Sequence, residues 1–174
     1  MKKLLIIATL LMTAYTANAQ AKFQIAYDKF QDTVTVWGAE IVRFDNDCES
    51  CFTGIRPYFE NDGENPKKPT NIVVRLRMTT VSRGTGREEP VIFLLDDATR
   101  LKFSIAPQTT QFVGSFYTKF YYLDFTPEQL KQLVSAKKVE LAVPELRNDF
   151  KKQYDLTGRL APLKEFWDYI GKLD

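Results

Sequence analysis

The sequence predicts a mainly β fold: an antiparallel β-sandwich or small barrel, with one or two α-helices packed near the C-terminus. Three observations predict it. Short segments alternate apolar and polar residues between turn residues, the period-2 signature of half-buried strands. Helix-start signals come only late, from Thr126 onward. Strand and helix patterns do not alternate, so a parallel sheet with crossover helices is disfavoured.

"KFQIAY" puts Phe23, Ile25 and Tyr27 on one side of a first strand. "TVTVWGAEIVRF" (Thr33 to Phe44) is a second, rich in β-branched residues, with Gly38 marking a bulge or bend. A long irregular stretch is expected from Asp45 to Pro69, because it carries both cysteines, several prolines and the turn pair Asp62-Gly63. "TNIVVRLRMTTV" is the clearest strand: Ile72, Val74, Leu76 and Met78 face one way, Arg75, Arg77 and Thr79 the other. "PVIFLLDDATRLKFSIA" reads as a hairpin with its turn at "DDAT". Thr109 to Phe125 is an aromatic strand or strand pair, apolar on both faces and therefore expected to be covered on both.

Thr126, Pro127 and Gln129 form an N-cap, an N1 proline and the third member of a capping box, opening the helix "TPEQLKQLVSAKK". "VELAVPELR" is a further strand, with Pro144 hinting at an edge or break. "NDFKKQYDLTG" reads as polar connection. In "APLKEFWDYIGKL" the residues Leu163, Phe166, Trp167 and Ile170 share one face of a closing helix.

The first residues, "MKKLLIIATLLMTAYTANAQA", have the layout of a secretory signal peptide: two lysines, a short apolar run and small residues for cleavage. "ANA" places the cut before Gln20; "AQA" would place it before Lys22. The expected organisation is a signal at 1–19 and a single β-rich domain at 20–174. The expected location is the periplasm or the exterior, with no integral membrane segment after cleavage.

Removing Lys2 and Lys3 from the 24 basic residues leaves them equal in number to the 22 acidic ones. A balanced chain lacks the long-range pull on phosphate backbones, so no nucleic-acid partner is expected. There is no histidine. That excludes Ser-His or Cys-His nucleophile pairs and any histidine-ligated zinc.

"DNDCESC" holds the only two cysteines, Cys48 and Cys51. Catalytic redox chemistry needs a readily ionised thiol, usually at a helix start beside a cation. Here Gly54 and Pro57 oppose a helix, and Asp45, Asp47 and Glu49 oppose a thiolate. Zinc would lack two of its four ligands. In an oxidising compartment the bland reading is a structural disulfide between Cys48 and Cys51, with free thiols as the alternative. Asp45, Asp47 and Glu49 also fall at calcium-loop positions one, three and five, although Ser50 and Arg56 stand where glycine and glutamate would be diagnostic. Tyr117, Tyr121 and Tyr122 are candidate stacking residues; the competing reading makes the aromatic run core. Among carboxylates suited to hydrolysis, Asp28, Asp32, Asp96, Asp97 and Asp124, spacing singles out no pair.

The segment from "VIFLLDDATRLKFSIA" through "YYLDFTPEQLKQLVSAKKVELAV" resembles a loose group of short exported β-rich proteins of Gram-negative bacteria, themselves uncharacterised. The resemblance covers about half of the mature chain and excludes Asp45 to Pro69. It implies export and a β-rich fold, and assigns no catalytic residue. The resulting expectation is a non-enzymatic domain, without cofactor, that binds a protein, peptide or glycan or serves an envelope complex. The alternative is an enzyme, either a carboxylate-based hydrolase or a thiol–disulfide protein using the cysteine pair.

Overall fold

The computed structural model describes residues 23–45, 48–80, 90–104, 109–113, 116–144 and 151–174, with backbone alone at 42–45, 48–52, 80, 109–110, 113, 116, 144 and 151–152. The strands are β1 (Gln24–Asp28), β2 (Thr33–Trp37), β3 (Ile41–Asp45), β4 (Cys48–Asp62), β5 (Ile72–Thr80), β6 (Val91–Leu95), β7 (Thr99–Phe103), β8 (Thr109–Val113), β9 (Phe116–Phe125), β10 (Val139–Pro144) and β11 (Lys151–Asp155). The helices are α1 (Pro127–Ser135) and α2 (Ala161–Ile170).

All pairings among these strands are antiparallel. The large sheet runs β1-β2-β4-β5-β9-β8, with β3 also on β4; the small sheet runs β11-β10-β6-β7. The expected mainly β architecture is therefore observed, as a curled sheet facing a second sheet with two helices. Side-chain alternation explains how the sheets meet. On β5 the residues Ile72, Val74 and Leu76 are fully buried while Arg75 and Arg77 keep part of their side chains in solvent. The small sheet answers with Val91, Phe93, Leu101, Val139 and Leu141. Phe125 of β9 lies against both Phe93 and Phe103, with ring centroids 5.7 and 4.3 Å away. The same inner face buries two polar side chains, Thr53 and Lys119, and burial lowers the Lys119 pKa.

Both helices form where expected. Thr126 caps α1: its hydroxyl accepts from Gln129 N at 3.2 Å, and Gln129 Oε1 accepts from Thr126 N at 2.9 Å. Two of the first turn's orphan donors are thereby satisfied. Helix α2 buries Leu163, Phe166 and Ile170, and Phe166 packs on Phe59 of β4 with ring centroids 5.9 Å apart.

Two sequence-based expectations are corrected. The stretch read as irregular from Asp45 to Pro69 contains β4, a 15-residue strand central to the large sheet. Pro57 is tolerated there for a geometric reason. In an antiparallel strand the N–H and C=O of one residue point to the same side. The Pro57 carbonyl accepts from Gly38 N at 2.9 Å, so its missing N–H faces the break between β2 and β3. No bond to β5 is lost. The polar connection before the last helix contains β11, whose Tyr154 is buried. Of the two readings of Pro144, an edge or a break, the second fits: it is the last residue of interior strand β10, beyond the residues that pair with β6.

The break at Gly38 is the expected bend, and it carries the chain between two strands on one partner. β2 pairs with Tyr58–Asp62 of β4, and β3 pairs with 52–55, so Gly38–Glu40 crosses from one to the other along the same edge.

Candidate functional site on the outer face of the large sheet

Period-2 alternation sends Arg56 and Tyr58 of β4, Arg75 and Arg77 of β5, and Phe120 and Tyr122 of β9 to the face opposite the core. Register then makes them neighbours. Arg75 lies between Arg56 and Tyr122, and Arg77 between Gly54 and Phe120. Trp37 of β2 stands directly across from Tyr58, and their rings stack with centroids 4.1 Å apart. Tyr122 meets Tyr58 edge-on at 6.3 Å.

The guanidinium groups are held on these rings. Arg75 sits 5.1 Å from the Trp37 ring and 5.4 Å from that of Phe120; Arg56 sits 5.0 Å from Trp37. Such cation–π contacts strengthen when partly desolvated. Arg56 is tied further, donating to Gly38 O at 2.9 Å and to Gln24 Oε1.

Glu40 arrives from the β2–β3 link and lies over Gly54. A side chain at Gly54 would place its Cβ 2.6 Å from Glu40 Oε1, so the glycine makes room for the carboxylate. Glu40 Oε2 accepts from Arg77 Nη2 at 2.7 Å. Arg75 Nη2 approaches Glu40 Oε1 only to 3.9 Å, an ionic contact beyond hydrogen-bond range. The side chains of Arg75, Arg77 and Glu40 are 19%, 28% and 21% exposed, deep enough to fix their positions yet open to a partner. Among the described residues three guanidiniums gather around the carboxylate of Glu40. The excess positive charge registers on Arg56, whose pKa is lowered first by burial and then by Arg75, with Glu40 opposing.

The face is polarised. Glu60 and Asp124 lie at its other end, flanking the aromatic belt. Burial, followed by the charge of Glu60, pushes the Tyr58 hydroxyl up to about 12. The folded state thus holds this proton more tightly than an unfolded chain, where tyrosine titrates near ~10. Its contribution to stability is complete below pH ~10 and is lost as pH rises through about 12. Alkaline absorbance titration is expected to show a late-ionising tyrosine that Tyr58→Phe removes. A variant with the parent's titration curve would contradict this environment.

The residues singled out from sequence are scattered. Of the three tyrosines, Tyr122 alone joins the outer face. Tyr117 and Tyr121 point to the inner side of β9, where Tyr121 is 3% exposed and belongs to the core. Asp45, Cys48, Glu49 and Cys51 are described by backbone alone, and Asp47 lies outside the described residues. Among the described residues no group of three or more acidic or cysteine side chains is placed to hold a metal. Around the cysteines the ladder shifts: Phe44 pairs with Phe52 but Asp45 with Cys48, so Glu49, Ser50 and Cys51 fall outside the regular β3–β4 register.

The five carboxylates weighed for hydrolysis serve local structure. Asp28 accepts from Phe30 N at 2.8 Å, Asp32 from the Tyr27 hydroxyl at 2.7 Å, and Asp124 from Asn71 at 3.3 Å. Asp96 accepts from the backbone N–H of Lys137 and Lys138 at 2.9 and 2.8 Å, and Asp97 pairs with Lys138 at 2.7 Å.

Trp37, Glu40, Arg56 and Tyr58 were absent from the sequence-based candidates. The outward pair Arg75 and Arg77 was the available signal, since arginines on the solvent side of a clear strand invite a search of its neighbours. Arg56 and Tyr58 lie in a stretch whose prolines and glycines carry no strand pattern.

No protein-family model matches the chain, and neither does any curated protein or solved structure. Among the described residues no helix is long and apolar enough to cross a membrane.

Proposed function

We propose that the chain is an exported, non-enzymatic binding domain that engages its partner through the outer face built by Trp37, Arg56, Tyr58, Arg75, Arg77 and Tyr122. The observation that carries this reading is the arginine–aromatic lattice itself. Tryptophan, tyrosine and arginine dominate the energetics of protein interfaces. Here they are packed on the side of the sheet away from the core and held in place before any partner arrives, which reduces the entropy cost of binding. The proposal includes export through the N-terminal signal and a disulfide between Cys48 and Cys51. The register shift supports that bridge. Residues three apart in a regular strand are separated by about 10 Å, too far for a disulfide, and Cys48 and Cys51 lie where the register is not regular.

The test is capture from an envelope extract by the immobilised mature chain. Arg75→Gln combined with Tyr122→Ala is expected to cut capture of its main partner at least tenfold with circular dichroism unchanged. Arg100→Gln, at an exposed position of β7 in the other sheet, is expected to leave it intact. Equal capture by the parent and the face variant would rule out this surface.

A further inference from the structure

We infer that the outer face recognises a polypeptide presenting carboxylates, an acidic segment of a partner protein. This rests on the reading of that face as the binding surface and adds the chemistry of what it takes. Two features carry it.

The first is charge. Among the described residues the carboxylate that pairs with these arginines is Glu40, which bonds Arg77 at 2.7 Å but reaches Arg75 only at 3.9 Å. Arg75 Nε makes no hydrogen bond among the described residues. A guanidinium is a planar fork suited to carboxylate, and charge-assisted pairs of this kind are about twice as strong as neutral ones. Glu40 is then an internal competitor: it is the same chemical group as the proposed ligand, already seated beside the same arginines.

The second feature decides between an acidic peptide and an acidic glycan. Sugar recognition by aromatic residues uses an open ring face. On this surface the rings beside the arginines are already engaged: Trp37 with Tyr58, Arg56 and Arg75, and Phe120 with Arg75. Next to the arginines a partner therefore meets guanidinium groups and the edges of Trp37 and Phe120, which suit side-chain carboxylates and backbone rather than a stacked pyranose. The polarity of the face adds direction, because Glu60 and Asp124 at the far end repel an acidic segment that overshoots the arginines.

The experiment uses the mature chain carrying Trp167→Phe, which leaves Trp37 as the sole tryptophan reporter. Its emission is titrated at low salt with octaglutamate and, separately, with an eight-residue oligogalacturonate of equal charge. Octaglutamate is expected to shift the emission saturably, and oligogalacturonate to bind at least tenfold more weakly. Arg75→Gln is expected to weaken octaglutamate binding at least tenfold, and Arg100→Gln to leave it unchanged. Glu40→Gln removes the competitor and is expected to tighten binding several-fold, with melting curves verifying that it folds. No saturable response, or tighter binding of the oligogalacturonate, overturns the inference; so does equal weakening by Arg75→Gln and Arg100→Gln, which would signal a diffuse field. If capture from the extract still depends on the face while octaglutamate fails, only the carboxylate chemistry falls. If both fail, the surface itself is wrong.

Discussion

Phe125→Ala is expected to destabilise the fold by about 3–5 kcal/mol, the range for emptying a buried phenylalanine site. Phe125 is fully buried on β9, at the seam between the two sheets. Its ring stacks on Phe103 at 4.3 Å and meets Phe93 edge-on at 5.7 Å, and those two rings meet each other at 6.0 Å. Truncation therefore removes apolar burial, leaves a cavity between layers and breaks two ring contacts, each worth roughly 0.5–1.5 kcal/mol. The loss is a large share of the roughly 5–15 kcal/mol that a domain has in total. Urea unfolding measures it directly, and a midpoint shift equivalent to less than about 1 kcal/mol would show that the sheets do not meet through this residue. Phe125→Leu, which keeps most of the volume, is expected to recover more than half of the loss.

Gly38→Ala is the second large effect, and here the damage comes from adding atoms. A methyl at this position would stand 2.8 Å from Pro57 Cγ and 2.9 Å from Phe166 Cδ2. Neither neighbour moves cheaply. Pro57 is a ring within β4, and Phe166 is a fully buried residue of α2 packed on Phe59 and Phe23. Overpacking of this kind costs about 1–3 kcal/mol, at times more. The backbone bond from Gly38 N to Pro57 O at 2.9 Å fixes the separation, so the strand cannot simply back away. The double variant Gly38→Ala with Phe166→Leu provides the sharper measurement. Leucine vacates part of the space the methyl needs, so the pair is expected to cost less than the sum of the singles by at least about 0.5 kcal/mol. Strict additivity would mean the two side chains do not share that space. Glu40 follows Gly38 in the same link, so this variant is also expected to loosen the outer face.

Much of the fold was legible because alternation is a local signal. The faces of β5, the turn at Asp96-Asp97, the cap on α1 and the buried stripe of α2 all follow from residues within a few positions of one another. The turn shows why: both aspartates have positive φ, 49° and 59°, the left-handed conformation a tight hairpin requires and that Asp tolerates better than most residues. The aromatic run was legible only in part. Gly114 and Ser115 separate β8 from β9, and the hairpin register sets Phe112 across from Tyr117, on the same face. Reading one continuous strand puts those two residues on opposite faces.

β4 was illegible for a different reason. Gly54 and Pro57 are ordinary turn signals, and both are overridden by residues outside their own strand. Gly54 is the seat of Glu40, and Pro57 faces a gap in the neighbouring strand. A residue that looks like punctuation locally is, in the sheet, a place where another chain segment needs room or withholds a hydrogen bond.

The sequence by itself determined the antiparallel β class, the two late helices, the side of β5 on which Arg75 and Arg77 emerge, and a charge balance without histidine that narrows the chemistry. Tertiary structure alone decided that those arginines meet Trp37, Glu40, Arg56, Tyr58 and Tyr122. The physical reason is that a strand's period states which way a side chain points, while the identity of its neighbour is set by pairing between segments tens of residues apart, which no local pattern encodes.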